Sequence, residues 1–206
     1  MNVGAIIAAA GSGRRMGGVR KAFLEIAGRP MLQFSVETFL SHPQVSQVVV
    51  ALAAEDLADP PGWLCDSRIK LVNGGAERAD SVQVGLAALG RDVDAVIVHD
   101  AARPLVTAAL IDRVLAEVRA GRSATVAIAV TDTLHEVDSM HDIRATPDRR
   151  RFWRAQTPQA FPRDVLEHAF ARSPRASEAT DEAGLVAAAG SPVRIVPGEV
   201  WNIKVT

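Results

Sequence analysis

The residues best suited to chemistry stand near the start of the chain. Ile6 to Lys21 reads IIAAAGSGRRMGGVRK. An apolar run ends in alanines, a glycine loop follows, and Arg14, Arg15, Arg20 and Lys21 come with it. Small residues let a ligand approach the backbone closely, and loop N–H groups beside fixed cations suit a polyphosphate. The stretch does not match the Walker pattern G-x-x-x-x-G-K-[ST], and its G-S-G-R-R-M-G is spaced unlike the dinucleotide loop G-x-G-x-x-G. It reads as a nucleoside-triphosphate site, with a plain strand-to-helix turn as the alternative.

Three further stretches carry polar groups at places where a strand should end. In Gly74-Gly75-Ala76-Glu77-Arg78-Ala79-Asp80-Ser81 the two glycines allow tight backbone approach. A base could be read there by backbone groups and the Ser81 hydroxyl, or the stretch is only a turn and a helix cap. In His99-Asp100-Ala101-Ala102-Arg103-Pro104, Asp100 suits Mg²⁺, which often takes one or two carboxylates and fills its shell with phosphate oxygens and water. The other reading makes Asp100 a cap. His99 has no second His or Cys at metal spacing, so zinc is not expected. In the tail, Lys204 stands between Ile203 and Val205 and on a strand would face away from both.

The elements that must hold these residues follow from the hydrophobic pattern. Short apolar runs at Val3–Ala9, Val45–Leu52, Ile69–Val72, Ala95–Val98 and Thr125–Val130 read as strands. Their continuity, as in Val48-Val49-Val50, suggests strands covered on both faces. Helical faces fall between them: Leu32, Val36, Phe39 and Leu40 behind Pro30, then Val82, Leu86 and Leu89, then Leu110 to Val118 with Thr107 as N-cap. This order predicts an α/β fold with a mostly parallel, twisted sheet and helices on both faces. Ligands in such sheets sit beyond the carboxyl ends of the strands, where the glycine loop, Gly74-Gly75 and Asp100 all lie.

The pattern changes at about 131–156, where charges crowd in. Thr133–Val137 and Arg151–Ala155 are expected to form the two strands of a protruding β-arm, with a disordered loop as the alternative reading. Helices near Arg163–Ala171 and Asp181–Ala189 and strands at Val193–Val196 and Trp201–Val205 complete the chain, 1–206, as a single domain.

The totals exclude several classes. The net charge is −1 over 206 residues, so no global basic field draws in nucleic acid. No apolar run approaches the roughly 18 residues of a membrane span, and no signal peptide is expected. A single cysteine, Cys65, fits a cytoplasmic protein.

Together the stretches are far more specific than any one. With AAGSGRRM, GGAERADSV, VHDAARP, VTDTL, the Thr157–Gln159 TPQ, the Thr180–Ala183 TDEA and the closing NIKVT, the sequence resembles the 2-C-methyl-D-erythritol 4-phosphate cytidylyltransferases of the non-mevalonate isoprenoid pathway along nearly its whole length. The resemblance implies a Rossmann-like nucleotidyltransferase with an arm that interlocks with a second subunit, hence a homodimer. It implies cytidylyl transfer from CTP to 2-C-methyl-D-erythritol 4-phosphate with Mg²⁺, releasing pyrophosphate. Ala9, Ala10, Gly11, Ser12, Gly13, Gly75, Ala76 and Ser81 would hold the nucleotide. Arg15 and Lys21 would stabilise the transition state. Asp100 would meet the metal and the acceptor. Thr133 and Arg149 would reach the partner's acceptor, and Thr157, Thr180 and Lys204 would complete the pocket, Lys204 also nearing the reacting phosphates. Arg149 is counted with the catalytic cations.

The chain departs from the family pattern at Ala8, where proline is usual, at Arg20-Lys21-Ala22, where Pro-Lys-Gln is usual, and at Trp201, where an acid is usual. The family's chain normally continues past NIKVT into a helix, and some relatives carry a second pathway enzyme there. Two competing functions remain open: a cytidylyltransferase for another polyol phosphate such as ribitol 5-phosphate, and a non-catalytic nucleotide-binding regulator.

Overall fold

The computed structural model of the chain describes residues 1–11, 21–173, 176 and 179–205. In chain order the elements are β1 (Val3–Ala8), β2 (Glu25–Ile26), β3 (Arg29–Pro30), α1 (Met31–Ser41), β4 (Val45–Leu52), α2 (Ala54–Ala58), β5 (Ile69–Asn73) and α3 (Arg78–Ala88). Then come β6 (Ala95–Asp100), α4 (Ala108–Arg119), β7 (Ser123–Ala129), β8 (Glu136–Val137), β9 (Ile143–Ala145), β10 (Trp153–Pro162), α5 (Arg163–Arg172), α6 (Glu182–Ala188) and β11 (Val193–Pro197). Seven strands form one sheet in the order β11-β7-β10-β6-β1-β4-β5. β1 pairs in parallel with β4 and β6, β4 with β5, and β7 with β11, whereas β10 runs antiparallel to both β6 and β7.

The continuous apolar strands are covered on both faces, as their composition predicts. Val48 and Val50 face the cluster under α1 and α4, with Leu32, Phe39 and Leu115. Val49 and Ile6 face the opposite cluster under α3, α5 and α6, with Val82, Leu166 and Val186. Each such fully buried aliphatic side chain contributes about 1.5–3 kcal/mol. The sheet is thereby a rigid plank whose strand ends cannot shift singly. Thr107 caps α4 as expected, its hydroxyl accepting from Leu110 N–H.

Two expectations need correction. The arm's own ladder is short, joining β8 to β9 alone. The residues expected as its second strand belong to the central sheet: Trp153, Arg154 and Ala155 pair with Ala129, Ile128 and Ala127. β10 escapes a hydrophobic reading because it carries Arg154, Gln156, Thr157 and Gln159, and because Pro158 cannot donate to a ladder. Its register shifts between Ala155 and Gln159, around that proline. The other correction is at Trp201–Val205, which is a turn and an irregular segment instead of a strand.

Candidate active site at the carboxyl edge of the sheet

Backbone bonds carry the ladders past the strand ends and tie the loops together. Ala9 N–H donates to Ala51 O (2.9 Å), Ala101 N–H to Ala8 O (3.1 Å) and Gly74 N–H to Leu52 O (2.8 Å). Ala9 is buried, Ala10 half-buried and Gly11 exposed. Ser12, Gly13 and Arg15 lie outside the described residues. Lys21 is half-buried and opens a short helical turn that runs to Phe23.

The two nucleotide stretches touch. A Cβ placed on Gly74 would stand 2.3 Å from Ala10 Cβ, so only glycine lets these loops meet. One on Gly75 would stand 2.2 Å from Asp80 Cβ. The Ser81 hydroxyl is buried; it accepts from Gly75 N–H (3.1 Å) and lies 3.2 Å from Glu77 O, to which it donates. It therefore shapes the loop, while Ala76 is exposed. A reciprocal cap completes the turn into α3, with Glu77 N–H donating to Asp80 Oδ2 (3.0 Å).

Asp100 stands at the end of β6 inside a cluster of charge. Arg78 Nε donates to its Oδ1 (2.7 Å) and Lys204 Nζ to its Oδ2 (2.8 Å). Arg103 Nε lies 4.0 Å from Oδ2. Arg78 Nη1 also donates to both oxygens of Glu182, each at 2.8 Å. Burial pushes the Asp100 carboxyl up, but Arg78 and then Lys204 outweigh burial and hold it well below the usual carboxylate range. Burial has the upper hand at Glu182, which is raised despite Arg78. Burial acts against the charge on Arg78 as well, yet Glu182 and Asp100 raise its pKa. Three cations thus face two carboxylates, a local excess of positive charge in a chain that is nearly neutral overall. Arg78 Nη2 and Arg103 Nε are buried without a hydrogen-bond partner among the described residues, which leaves donor capacity for an anion.

The backbone of Asp100 is held from behind. Its N–H donates to Thr157 Oγ1 (3.1 Å), and that oxygen lies 2.9 Å from His99 Nδ1. His99 Nε2 lies 3.1 Å from Arg103 O, which only accepts, so Nε2 carries the proton and the Thr157 hydroxyl donates to Nδ1. Burial pushes the His99 pKa down to about 4, keeping the ring neutral. Thr157, expected to line the acceptor pocket, is buried and has its proton committed to this relay. Thr180 is exposed, one residue before the α6 cap Asp181. Gln159 joins the TPQ and TDEA segments, donating to Asp181 Oδ2 (2.9 Å) and accepting from Ala183 N–H (3.0 Å).

Lys204 owes its place to Asn202, which is fully buried. Asn202 Nδ2 donates to Thr157 O (2.8 Å), and Asn202 O accepts from Arg103 Nη1 (2.8 Å) and Gln156 Nε2 (3.2 Å). Thr133 and Arg149 are exposed on the arm, where Arg149 Nη1 donates to Thr131 O (2.6 Å). Ala10, Gly75, Asp100 and Lys204 therefore lie at or beyond the same edge.

The model of the 2-C-methyl-D-erythritol 4-phosphate cytidylyltransferase family matches residues 3–206. The chain belongs to this family. Among its cytidylyltransferase relatives, that of Frankia casuarinae is 44% identical over 99% of this chain and 76% of its own length, and that of Nocardia farcinica 42% over 100% and 89%. The bifunctional IspD/IspF enzyme of Solidesulfovibrio magneticus is 41% identical over the whole chain, which spans 54% of that protein. The Thermus thermophilus cytidylyltransferase structure superposes with a TM-score of 0.84 at 35% identity, covering 100% of this chain and 93% of that one. As a member, this cytidylyltransferase is a nucleotidyltransferase that moves a cytidylyl group from CTP to 2-C-methyl-D-erythritol 4-phosphate. No helix among the described residues is long and apolar enough to cross a membrane.

Arg78, Arg103, Glu182, Gln159 and Asn202 do not stand out as site residues in the sequence. Each lies within or beside a motif that carries the resemblance, so the signal was present in GGAERADSV, HDAARP, TPQ, TDEA and NIKVT. What sequence lacks is their pairing across as many as 104 positions. A divalent ion fits the donor set only in part. Among the described residues no three His, Cys, Asp or Glu side chains gather to hold one. Asp100 offers one corner, which suits Mg²⁺ arriving with most of its ligands on phosphate oxygens.

Proposed function

We propose that the edge formed by the Ala10–Gly74 contact and the Asp100 cluster carries out the transfer, with CTP on one side and the acceptor phosphate on the other. The observation that carries this reading is the local cation excess at Asp100, with two buried guanidinium donors unmet, beside a loop contact that only glycine permits. Ala9 to Gly13, Gly75 and Ala76 supply close backbone approach to the nucleotide, with Ser81 fixing the loop. Arg15 and Lys21 would offset the charge of the triphosphate, and Lys204 would do the same at the reacting phosphates.

The acceptor's phosphate monoester carries about −1.5 to −2 charge at neutral pH and is itself the nucleophile, so no general base is needed. One of its oxygens bonds to the α-phosphorus of CTP, the bond to the β-phosphate oxygen breaks, and pyrophosphate leaves with that electron pair. The barrier is the meeting of two polyanions and the charge growing on the α-phosphoryl oxygens. Fixed cations lower it by positioning and electrostatics. Mg²⁺, for which Asp100 offers one carboxylate, would supply Lewis-acid stabilisation of that charge.

We also propose a cytoplasmic homodimer joined through the arm. Val137, Met140, Ile143, Phe152 and Trp153 are all exposed on or beside it, an apolar set that suits a second copy. Thr133 and Arg149 would then act at the partner's acceptor site. Pyrophosphate release tests the reading. It is expected with CTP, Mg²⁺ and 2-C-methyl-D-erythritol 4-phosphate and not with ribitol 5-phosphate. Release with ribitol 5-phosphate alone would transfer the reading to that acceptor, and no release with either would leave only nucleotide binding.

A further inference from the structure

Two cations hydrogen-bond to Asp100, and they are held very differently. Lys204 reaches Asp100 Oδ2 from an irregular segment, its side chain is 42% exposed, and among the described residues this is its one hydrogen bond to a side chain. Arg78 is 22% exposed and gripped from two directions, by Asp100 through Nε and by Glu182 through Nη1. Glu182 itself is 1% exposed, in the first turn of α6, and both its oxygens accept from that one nitrogen. A guanidinium is a rigid planar fork, so anchoring Nε and Nη1 to separate elements fixes the whole group. An ammonium on a four-carbon stem has no such constraint and can follow an incoming anion.

We infer that Glu182 is a positioning residue that divides the labour between these cations. It keeps Arg78 as the permanent counter-ion of Asp100, so that Lys204 is free to leave Asp100 for the phosphate of the acceptor. The inference rests on the transfer reading above and goes beyond it. When a phosphate oxygen approaches, Lys204 exchanges one anion for another at small cost, because Asp100 stays compensated by Arg78. Without Glu182, Arg78 would be free to turn away from Asp100 towards the phosphate. Asp100 would then keep Lys204, or lose both cations at once. Glu182 lies on α6 and Lys204 in the terminal segment, and no hydrogen bond or ion pair joins them directly. Any coupling between them must pass through Arg78 and Asp100.

That indirect coupling is the test. Steady-state kinetics are measured with each substrate varied, on Glu182→Gln, Lys204→Met and the double variant. E182Q is expected to lower kcat/KM for the acceptor about tenfold while the KM for CTP stays within about twofold. E182D, which keeps the charge, should recover part of the loss. On a K204M background E182Q should add little, since the exchange it supports is already gone. If the two losses simply multiply, or if CTP and acceptor suffer alike, Glu182 only props up α6 and the inference fails. Wild-type-like kinetics in E182Q would also overturn it. Should E182Q not fold, E182D and Arg78→Lys carry the same comparisons with charge retained. Inactivity of the wild-type enzyme would instead strike at the transfer reading itself.

Discussion

Lys204 Nζ lies 2.8 Å from Asp100 Oδ2, tying the last described turn of the chain to the end of a central strand 104 residues earlier. The pair joins an exposed ammonium to a buried carboxylate, so its two members should answer differently to the same substitution. Lys204→Met is expected to lower kcat by about 10²–10³, the loss typical of removing one donor to a developing oxyanion. Its effect on stability should depend on pH. The Asp100 carboxyl is depressed in the folded state, so the stability it contributes is present above its unfolded pKa of about 3.9 and lost as pH falls below that. Urea midpoints should therefore differ between K204M and the parent at pH 7 and converge as pH drops below about 4. A pH-independent gap would mean that the ion pair is not what K204M removes.

The relay behind Asp100 makes a sharper claim about Thr157. Its hydroxyl accepts from Asp100 N–H and donates to His99 Nδ1, so Thr157→Val leaves two buried polar groups unmet. Each costs about 1–3 kcal/mol. T157V should lower stability by that order and T157S should largely preserve it. His99 adds a pH signature. Its folded pKa is pushed below the unfolded value to about 4, so the unfolded state binds the proton first. Stability is full above about pH 6.5, declines as pH falls, and levels off near the folded value. The decline should be of the order of a few kcal/mol and should vanish in His99→Gln. If the slope persists in H99Q, another group titrates in that window.

How far the sequence reveals this site depends on the range of the interactions. β1, β4 and β6 were legible because each strand is a continuous apolar run covered on both faces, a pattern confined to a few neighbours. Thr107 was legible for the same reason, since a cap is settled within one turn. β10 was not, because its pairing with β6 and β7 is carried by a strand of Arg, Gln and Thr with a proline in it. Lys204 carries no local mark of its role, and the family resemblance alone brings it to the site. The side chains that hold it there, through Asn202, Gln156 and Arg103, act across tens of positions and leave no periodic trace. Glu182 is the clearest case, since an acid in a helix's first turn usually reads as dipole compensation, while its partner Arg78 stands 104 positions away.

The contact between Gly74 and Ala10 predicts a selective defect. A methyl group at position 74 would stand 2.3 Å from Ala10 Cβ and 2.8 Å from Ser81 Oγ, so the two nucleotide loops would have to part. Overpacking of this kind costs about 1–3 kcal/mol. Gly74→Ala should raise the KM for CTP more than that for the acceptor, because the displaced groups are the nucleotide-facing backbone. Ala10→Gly removes one of the clashing methyls, so A10G/G74A should recover CTP binding relative to G74A. Equal damage in the single and double variants would show that this contact does not set the loop spacing.

The arm supplies the last prediction. Ile143 is 61% exposed on a two-stranded ladder that packs little of its own apolar surface, and Met140, in the turn that joins its strands, is 78% exposed. An isolated hairpin of this size is marginal in water, so a second copy covering it would stabilise the arm as well as the dimer. Ile143→Glu places a charge in that surface without touching the central sheet. Sedimentation should show a dimer for the parent and a shift towards monomer for I143E at the same protein concentration, with the urea midpoint of the central domain nearly unchanged. Because Arg149 and Thr133 sit on the same arm, the monomeric variant should also lose acceptor turnover while retaining CTP binding. A parent that sediments as a monomer at micromolar concentration, or an I143E monomer with full acceptor turnover, would remove the arm from the active site.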